Sequence, residues 1–337
     1  MSTRPTTIKD VASALGISAS TVSRALSGHA GISTRTTEQV RLKAEEMGYV
    51  LNLAARQMRH RQSSLVGLVV PDIRNDFYST AASVLAESCR SACFQMVLVN
   101  TEDNPEIEAD QVQALIEART AGIIICPTAQ PHARTCSLLR SVPTVLFLRN
   151  YPGISREIVA MDDAEGLRAT ARHLLELGHS RVAYVGPRKD LDVGDARLRG
   201  YLEAHAEAGV VPDMSLVVLA HPSRVFGRNA MAQVLAHHDR PTALIIGSSE
   251  LTVGGLETIT EAGLRIPEDI SLVVFGDPAW ASLLTPPLTT VRLPAEAMAR
   301  RAVKKIFHLI SDSEQDQDAE PLLPRVIVRA STARRAF

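Results

Sequence analysis

Ala19, Ser20, Ser23 and Arg24 could read DNA if they share the outer face of a helix whose other face carries Val22, Ala25 and Leu26,. Small polar residues let a helix approach base edges closely, and an arginine can pair bidentately with guanine. The residues before them supply the partner element. Val11, Ala12 and Leu15 fall on one face of a first helix, Gly16 supplies a sharp turn, and Ser18 is placed to cap the second helix,. Two short helices at a steep angle form a helix-turn-helix, whose second helix enters a DNA major groove. Thr7, Ser18 and Thr21 complete the contacts expected from this head.

Many small helical pairs look like this and bind nothing, so charge decides. Residues 1–62 hold nine Lys/Arg against four Asp/Glu, whereas the rest of the chain holds 27 against 33. A net charge of −1 thus hides a basic head on an acidic body, the electrostatic requirement for phosphate contact. Catalytic constellations are missing. The chain contains no GxxxxGK[ST], no GxGxxG after a strand, no HExxH and no GxSxG,. His237 and His238 are adjacent and point in different directions on a helix. Asp162-Asp163 stands where a helix is capped,. Cys89, Cys93, Cys126 and Cys136 complete no zinc pattern and are expected to be reduced, structural thiols,. No enzyme activity, cofactor or metal is expected. Apolar runs such as Leu65–Val70 are too short to span a bilayer, and no apolar leader opens the chain, so a cytoplasmic protein without membrane contact is expected,.

The elements that position the head residues come next. Residues 33–48 predict a third helix, capped by Ser33 and stopped by Gly48, with Val40, Leu42, Ala44 and Met47 facing the first two,. The stretch 52–61 is short, basic and mildly amphipathic, marginal as an isolated helix,. From Leu65 onward nine short apolar runs, ending with Leu272–Phe275, alternate with amphipathic segments such as Glu106–Arg119 and Glu165–Leu177. Alternating strands and helices imply parallel sheets covered on both faces, with too many strands for one sheet. Two α/β lobes follow. The break is expected near 149–160, where Asn150, Pro152 and Gly153 cluster, with return crossings near 288–294 and 311–324.

The run TIKDVASALGISASTVSRALSG, the helix ending EEMGYVLN, and LAARQMR after it resemble the head of the lactose/galactose repressor (LacI/GalR) family. The likeness extends along the body through PDIRNDFY, LGH, RLRGY, GLRIPEDIS and TPPLTTV, in the family's order and spacing. The resemblance implies a bacterial transcription regulator: an all-α helix-turn-helix head (1–50), a hinge helix or linker (51–62), and an α/β core (63–337). The core would resemble the type I periplasmic binding proteins and bind a small-molecule effector between its lobes. It also implies that the hinge folds on DNA when two subunits sit together, with Asn52 and Ala55 as further contacts. Met58 stands at the position of the family's apolar minor-groove wedge.

The pocket departs from the family's sugar binders. Leu148-Arg149 replaces the usual Asp-Arg, Ser248-Ser249 replaces Asn-Asp, and Gly276-Asp277 replaces Asp-Asp. Phe77 and Arg197 match the family's stacking ring and pocket arginine. Phe77, Arg149, Arg197, Ser248, Ser249 and Asp277 are therefore the expected effector contacts. Two arginines with fewer carboxylates would suit an anion such as a sugar acid or sugar phosphate; an uncharged ligand held by serines and backbone groups is the alternative. The expected partners are double-stranded operator DNA of near-palindromic sequence, a second copy of the chain, and the effector. A regulator answering to a protein partner, or a sugar-binding protein that shares the fold without binding DNA, are the rival readings.

Overall fold

The computed structural model describes residues 6–26, 29, 31–49, 64–313 and 320–335, which fall into two units on either side of Ser63. The expected hinge helix, with Asn52, Ala55 and Met58, lies outside the described residues.

In the first unit α1 spans Ile8–Leu15, α2 Ala19–Leu26 and α3 Thr34–Glu46. Gly16 closes α1 at φ +66°, a left-handed conformation that an L side chain rarely adopts,. Ser18 Oγ accepts a hydrogen bond from Thr21 N at 3.0 Å, and Ser33 Oγ accepts one from Thr36 N at 3.1 Å. Each cap satisfies an orphan donor and is worth about 1 kcal/mol. Val11, Ala12, Val22, Ala25, Val40 and Ala44 form the buried centre, with Met47 and Tyr49 packed against it. Leu42 departs from expectation: it is 56% exposed. Two positions from both Val40 and Ala44, it lies about half a turn around the helix from the buried stripe.

The second unit holds two sheets. The first, in the order β2-β1-β3-β4-β5, comprises β1 Leu65–Val70, β2 Gln95–Asn100, β3 Gly122–Ile125, β4 Thr144–Phe147 and β5 Ile158–Val159, all parallel. The second, in the order β11-β10-β9-β8-β6-β7, comprises β6 Val182–Pro187, β7 Val217–Ala220, β8 Ala243–Ile246, β9 Ser271–Phe275, β10 Thr289–Arg292 and β11 Arg325–Ile327. It is parallel except for β11. Helices α4 Asp76–Ser91, α5 Pro105–Glu117 and α6 Ala133–Leu139 follow the first three strands. Helices α7 Asp163–Glu176, α8 Asp192–Glu207, α9 Arg224–Leu235 and α10 Ser249–Glu261 accompany the second sheet, and α11 spans Ala295–Ser311.

The crossings between lobes are set by strand pairing. Ile158 and Val159 still pair with Leu146 and Phe147, so the first crossing follows Val159. The Asn150-Pro152-Gly153 cluster instead makes the turn between two neighbouring strands. Residues 289–292 are a strand paired with β9, and the polar stretch after α11 leads into β11, which pairs with β10. Both strands are too short to stand out as apolar runs. Between them, α11 returns to the first lobe and packs on α4, β3, β4 and β5, burying Met298, Ala299, Ala302 and Ile306. Three chain crossings therefore join the lobes, and the carboxyl ends of the parallel strands, where α/β sheets bind ligands, face the cleft between them.

Candidate functional site

In the head, the face of α2 opposite Val22 and Ala25 is open. Ser18, Ser20 and Arg24 are exposed, while Ala19, Thr21 and Ser23 are half-buried. The three hydroxyls at the start of α2 are linked: Ser18 Oγ lies 2.7 Å from Ser20 Oγ and 2.8 Å from Thr21 Oγ1. That network holds the first turn in one conformation before any ligand arrives. Thr7 precedes α1, where its backbone N–H and its hydroxyl both donate to Asp10 Oδ2, at 2.8 and 2.6 Å. A helix N-terminus held by a network of small hydroxyls, with an arginine one turn further on, is a surface shaped to enter a groove.

In the second unit the six expected effector residues separate into four settings. Phe77 is stacked on Phe147, ring centroids 5.6 Å apart, with Tyr78 edge-on at 5.2 Å; it is 7% exposed. Arg149 and Arg197 are both buried and both already paired. Arg149 Nη1 donates to Asp103 Oδ1 at 2.5 Å and to Pro127 O at 3.1 Å. Arg197 Nε donates to Asp163 Oδ1 at 2.6 Å, its Nη1 donates to Gly247 O at 2.8 Å, and its guanidinium lies 4.1 Å from the Phe275 ring centroid. Ser248 caps α10, accepting from Leu251 N at 3.4 Å, and Ser249 opens the same helix against Gly276.

Asp277 stands apart. Its Oδ1 accepts from Arg329 Nη2 at 2.7 Å and Thr290 Oγ1 at 2.8 Å, and its Oδ2 accepts from Arg292 Nη2 at 2.7 Å. Burial works against its charge, but these donors outweigh it and hold the carboxyl below the usual range. With both oxygens engaged, Asp277 is a structural anion joining β9, β10 and the C-terminal segment. It lines a cavity of about 480 Å³ with Asp76, Thr80, Ser282 and the two arginines, and none of the other five residues borders that cavity.

Sequence reasoning missed the carboxylates that meet the arginines. Asp162-Asp163 reads as a capping pair, yet the two divide the work: Asp162 accepts from Glu165 N at 2.9 Å, and Asp163 turns to Arg197. Burial raises the Asp163 pKa and the Arg197 charge opposes that rise. Asp103, beyond β2, carried no signal at all. Burial disfavours its charge, but the hydrogen bond from His221 and the charge of Arg149 prevail and bring its carboxyl to about 2. The local geometry behind this clustering is Gly200, midway along α8. A Cβ there would lie 2.0 Å from Ala164 O, so glycine lets α8 approach α7 closely enough for Arg197 to reach Asp163,.

Glu108 is another buried carboxyl beside this site. Its Oε2 accepts from Thr128 N at 2.7 Å, fixing the loop after β3 whose Pro127 carbonyl receives Arg149. Burial pushes its pKa up to about 7 against the pull of the Thr128 donors. A carboxyl whose folded pKa is raised contributes stability below its unfolded value, and that contribution is lost as pH rises through about 7,. The urea midpoint of this unit is therefore expected to fall between pH 5 and pH 8, and much less so in Glu108→Gln. An unchanged slope in that variant would place the pH dependence elsewhere.

Among the described residues no group of three or more His, Cys, Asp and Glu is placed to hold a metal, and no helix is long and apolar enough to cross a membrane. A helix-turn-helix unit followed by a two-lobed α/β unit defines a ligand-responsive DNA-binding regulator. Residues 7–52 match the family described as bacterial regulatory proteins, lacI family, and residues 171–332 match the periplasmic binding protein-like domain. The chain is 29% identical to the HTH-type transcriptional regulator DegA of Bacillus subtilis over 97% of its own length and 98% of that protein. It is 28% identical to the HTH-type transcriptional regulator GalR of Escherichia coli, over 97% and 96% of the two chains. Among solved structures, the lac repressor dimer bound to operator and the anti-inducer ONPF superposes with a TM-score of 0.83 at 23% identity, covering 98% of this chain and all of that one. A transcriptional regulator CelR–cellobiose complex gives 0.72 at 27%, covering 97% and 100%. The chain belongs to the LacI/GalR family of helix-turn-helix transcription regulators. Its relatives are regulators, not enzymes.

Proposed function

We propose that this protein is a repressor that binds a near-palindromic operator as a homodimer through Ser18, Ala19, Ser20, Thr21, Ser23 and Arg24, with Thr7, Asn52, Ala55 and Met58 as flanking contacts. An uncharged, polyhydroxylated effector taken between the two lobes modulates that binding. The open hydroxyl-and-arginine face of α2 carries the DNA assignment. The ribose operon repressor of Escherichia coli, 29% identical over 96% of this chain, is named for repression, and the lac repressor structure is a dimer on operator.

The effector class rests on the pairing of both arginines. A sugar acid or sugar phosphate suits two free guanidiniums, but each of these already has a carboxylate within 2.6 Å. Each pair is already charge-compensated, so an anionic ligand would add an unbalanced negative charge beside Asp103 or Asp163, whereas hydroxyl groups can accept from a remaining donor such as Arg149 Nε without adding one,. The cellobiose bound by the related CelR is of that neutral class.

Two experiments test the proposal. Selection from random duplexes with the full chain is expected to return a palindrome; sequences without symmetry would contradict dimeric recognition. A thermal-shift screen against matched neutral sugars, sugar acids and sugar phosphates reads the effector class, since ligand at 100 times its Kd stabilises by about 2.7 kcal/mol. Shifts with neutral sugars are expected. Shifts with acids or phosphates alone would overturn the uncharged assignment.

A further inference from the structure

Among the described residues, the polar contacts that cross the cleft between the lobes include these three. Asn75 Nδ2 donates to Glu250 Oε2 at 3.2 Å, the backbone N–H of Asn150 donates to Asp192 Oδ2 at 2.7 Å, and His221 Nδ1 lies 3.3 Å from Asp103 Oδ2. The third differs from the others in construction. Asp103 follows β2 in the first lobe, and His221 follows β7 in the second. The carboxylate is 10% exposed and divided between the lobes: Oδ1 takes Arg149 of its own lobe, and Oδ2 faces the imidazole opposite. Glu102 and Asp103 are both non-glycine residues at positive φ, +55° and +53°. Two successive residues in this sparsely populated region persist where surrounding bonds fix them, and such backbone gathers at clamps and switches. Asn75 and Asn150 bring no comparable arrangement, since one offers a neutral amide and the other a backbone N–H.

We propose that Asp103 is the latch of the effector domain: its carboxylate, held in place by Arg149, takes His221 from the opposite lobe and thereby sets the closed lobe angle. This rests on reading the cleft as the effector site and adds how its opening is controlled. The latch sits where Arg149 was expected to meet ligand, so an effector entering there works against or around the Asp103–His221 contact. The contact pairs a carboxylate with a ring nitrogen, and a permanently positive group at position 221 would preserve it,. His221 is half exposed at the rim, so it can be replaced without opening a cavity in the core.

The test reads lobe separation in the full chain and needs neither effector nor operator. Spin labels are placed at Gln130 in the first lobe and Lys189 in the second, both exposed. The background carries serine in place of Cys93 and Cys136, and labelled chains are diluted with unlabelled ones. The expected result is one short separation in the wild-type background and an open population enlarged about tenfold in His221→Gln and in Asp103→Asn, with His221→Arg retaining the short separation. A His221→Gln distribution that superimposes on the parent would overturn the latch. So would equal opening in His221→Gln and His221→Arg, which would make position 221 a spacer rather than a charge partner. A failed effector screen would leave these distances unaffected, so the two proposals fail separately.

Discussion

Arg197→Ala is expected to destabilise the effector domain by about 3–5 kcal/mol, the cost of leaving a buried partner charge uncompensated. Asp163 is 4% exposed and has Arg197 as its cation at 2.6 Å. The substitution also removes the donor to Gly247 O and the guanidinium beside Phe275. Combining it with Asp163→Asn is expected to recover much of the loss, because the buried carboxylate is then gone. Urea unfolding followed by circular dichroism of the single and double variants checks this. A single variant within 1 kcal/mol of wild type, or a double variant no better than the single, would show that the pair does not carry that weight. Loss of effector response in Arg197→Ala is therefore interpretable only beside its measured stability.

Arg24→Ala is expected to weaken operator binding by about 1–3 kcal/mol per bidentate contact, a factor of roughly 5 to 150, and a dimer makes the contact twice. Discrimination should relax at one base pair in each half-site. Val22 and Ala25 on the opposite face keep the helix packed in the variant, so the head should remain folded. Fluorescence anisotropy with the selected palindrome and its single-base variants measures both effects. A uniform loss across all variants, with specificity unchanged, would reassign Arg24 to phosphate contact.

Much of this molecule is legible in local pattern. Gly16, Ser18 and Ser33 act through their own backbone neighbours, so their roles as C-cap and N-caps follow from spacing. The apolar runs from Leu65–Val70 to Leu272–Phe275 lie in strands because parallel strands buried on both faces read as continuous hydrophobic stretches,. Illegible were the features set by distant partners. β10 holds four residues and β11 three, and each gains its identity from pairing across the 32 residues between them. The pairing of Arg149 with Asp103 spans 46 residues, and that of Arg197 with Asp163 spans 34. Counting carboxylates only at the positions where relatives carry them leaves out those that arrive from elsewhere in the fold. That omission makes two arginines that are already paired look unpaired.

The most direct test of the central claim is competition for the full chain between the selected palindrome and a scrambled duplex of the same length and composition, repeated across a salt series. Sequence-specific regulators prefer their sites by about 10³-fold or more over non-specific DNA at physiological salt, and both affinities fall as salt rises. A preference of that order for the palindrome is expected, retained when salt weakens overall binding. Equal competition by the scrambled duplex would contradict it and leave the basic head as a non-specific phosphate binder.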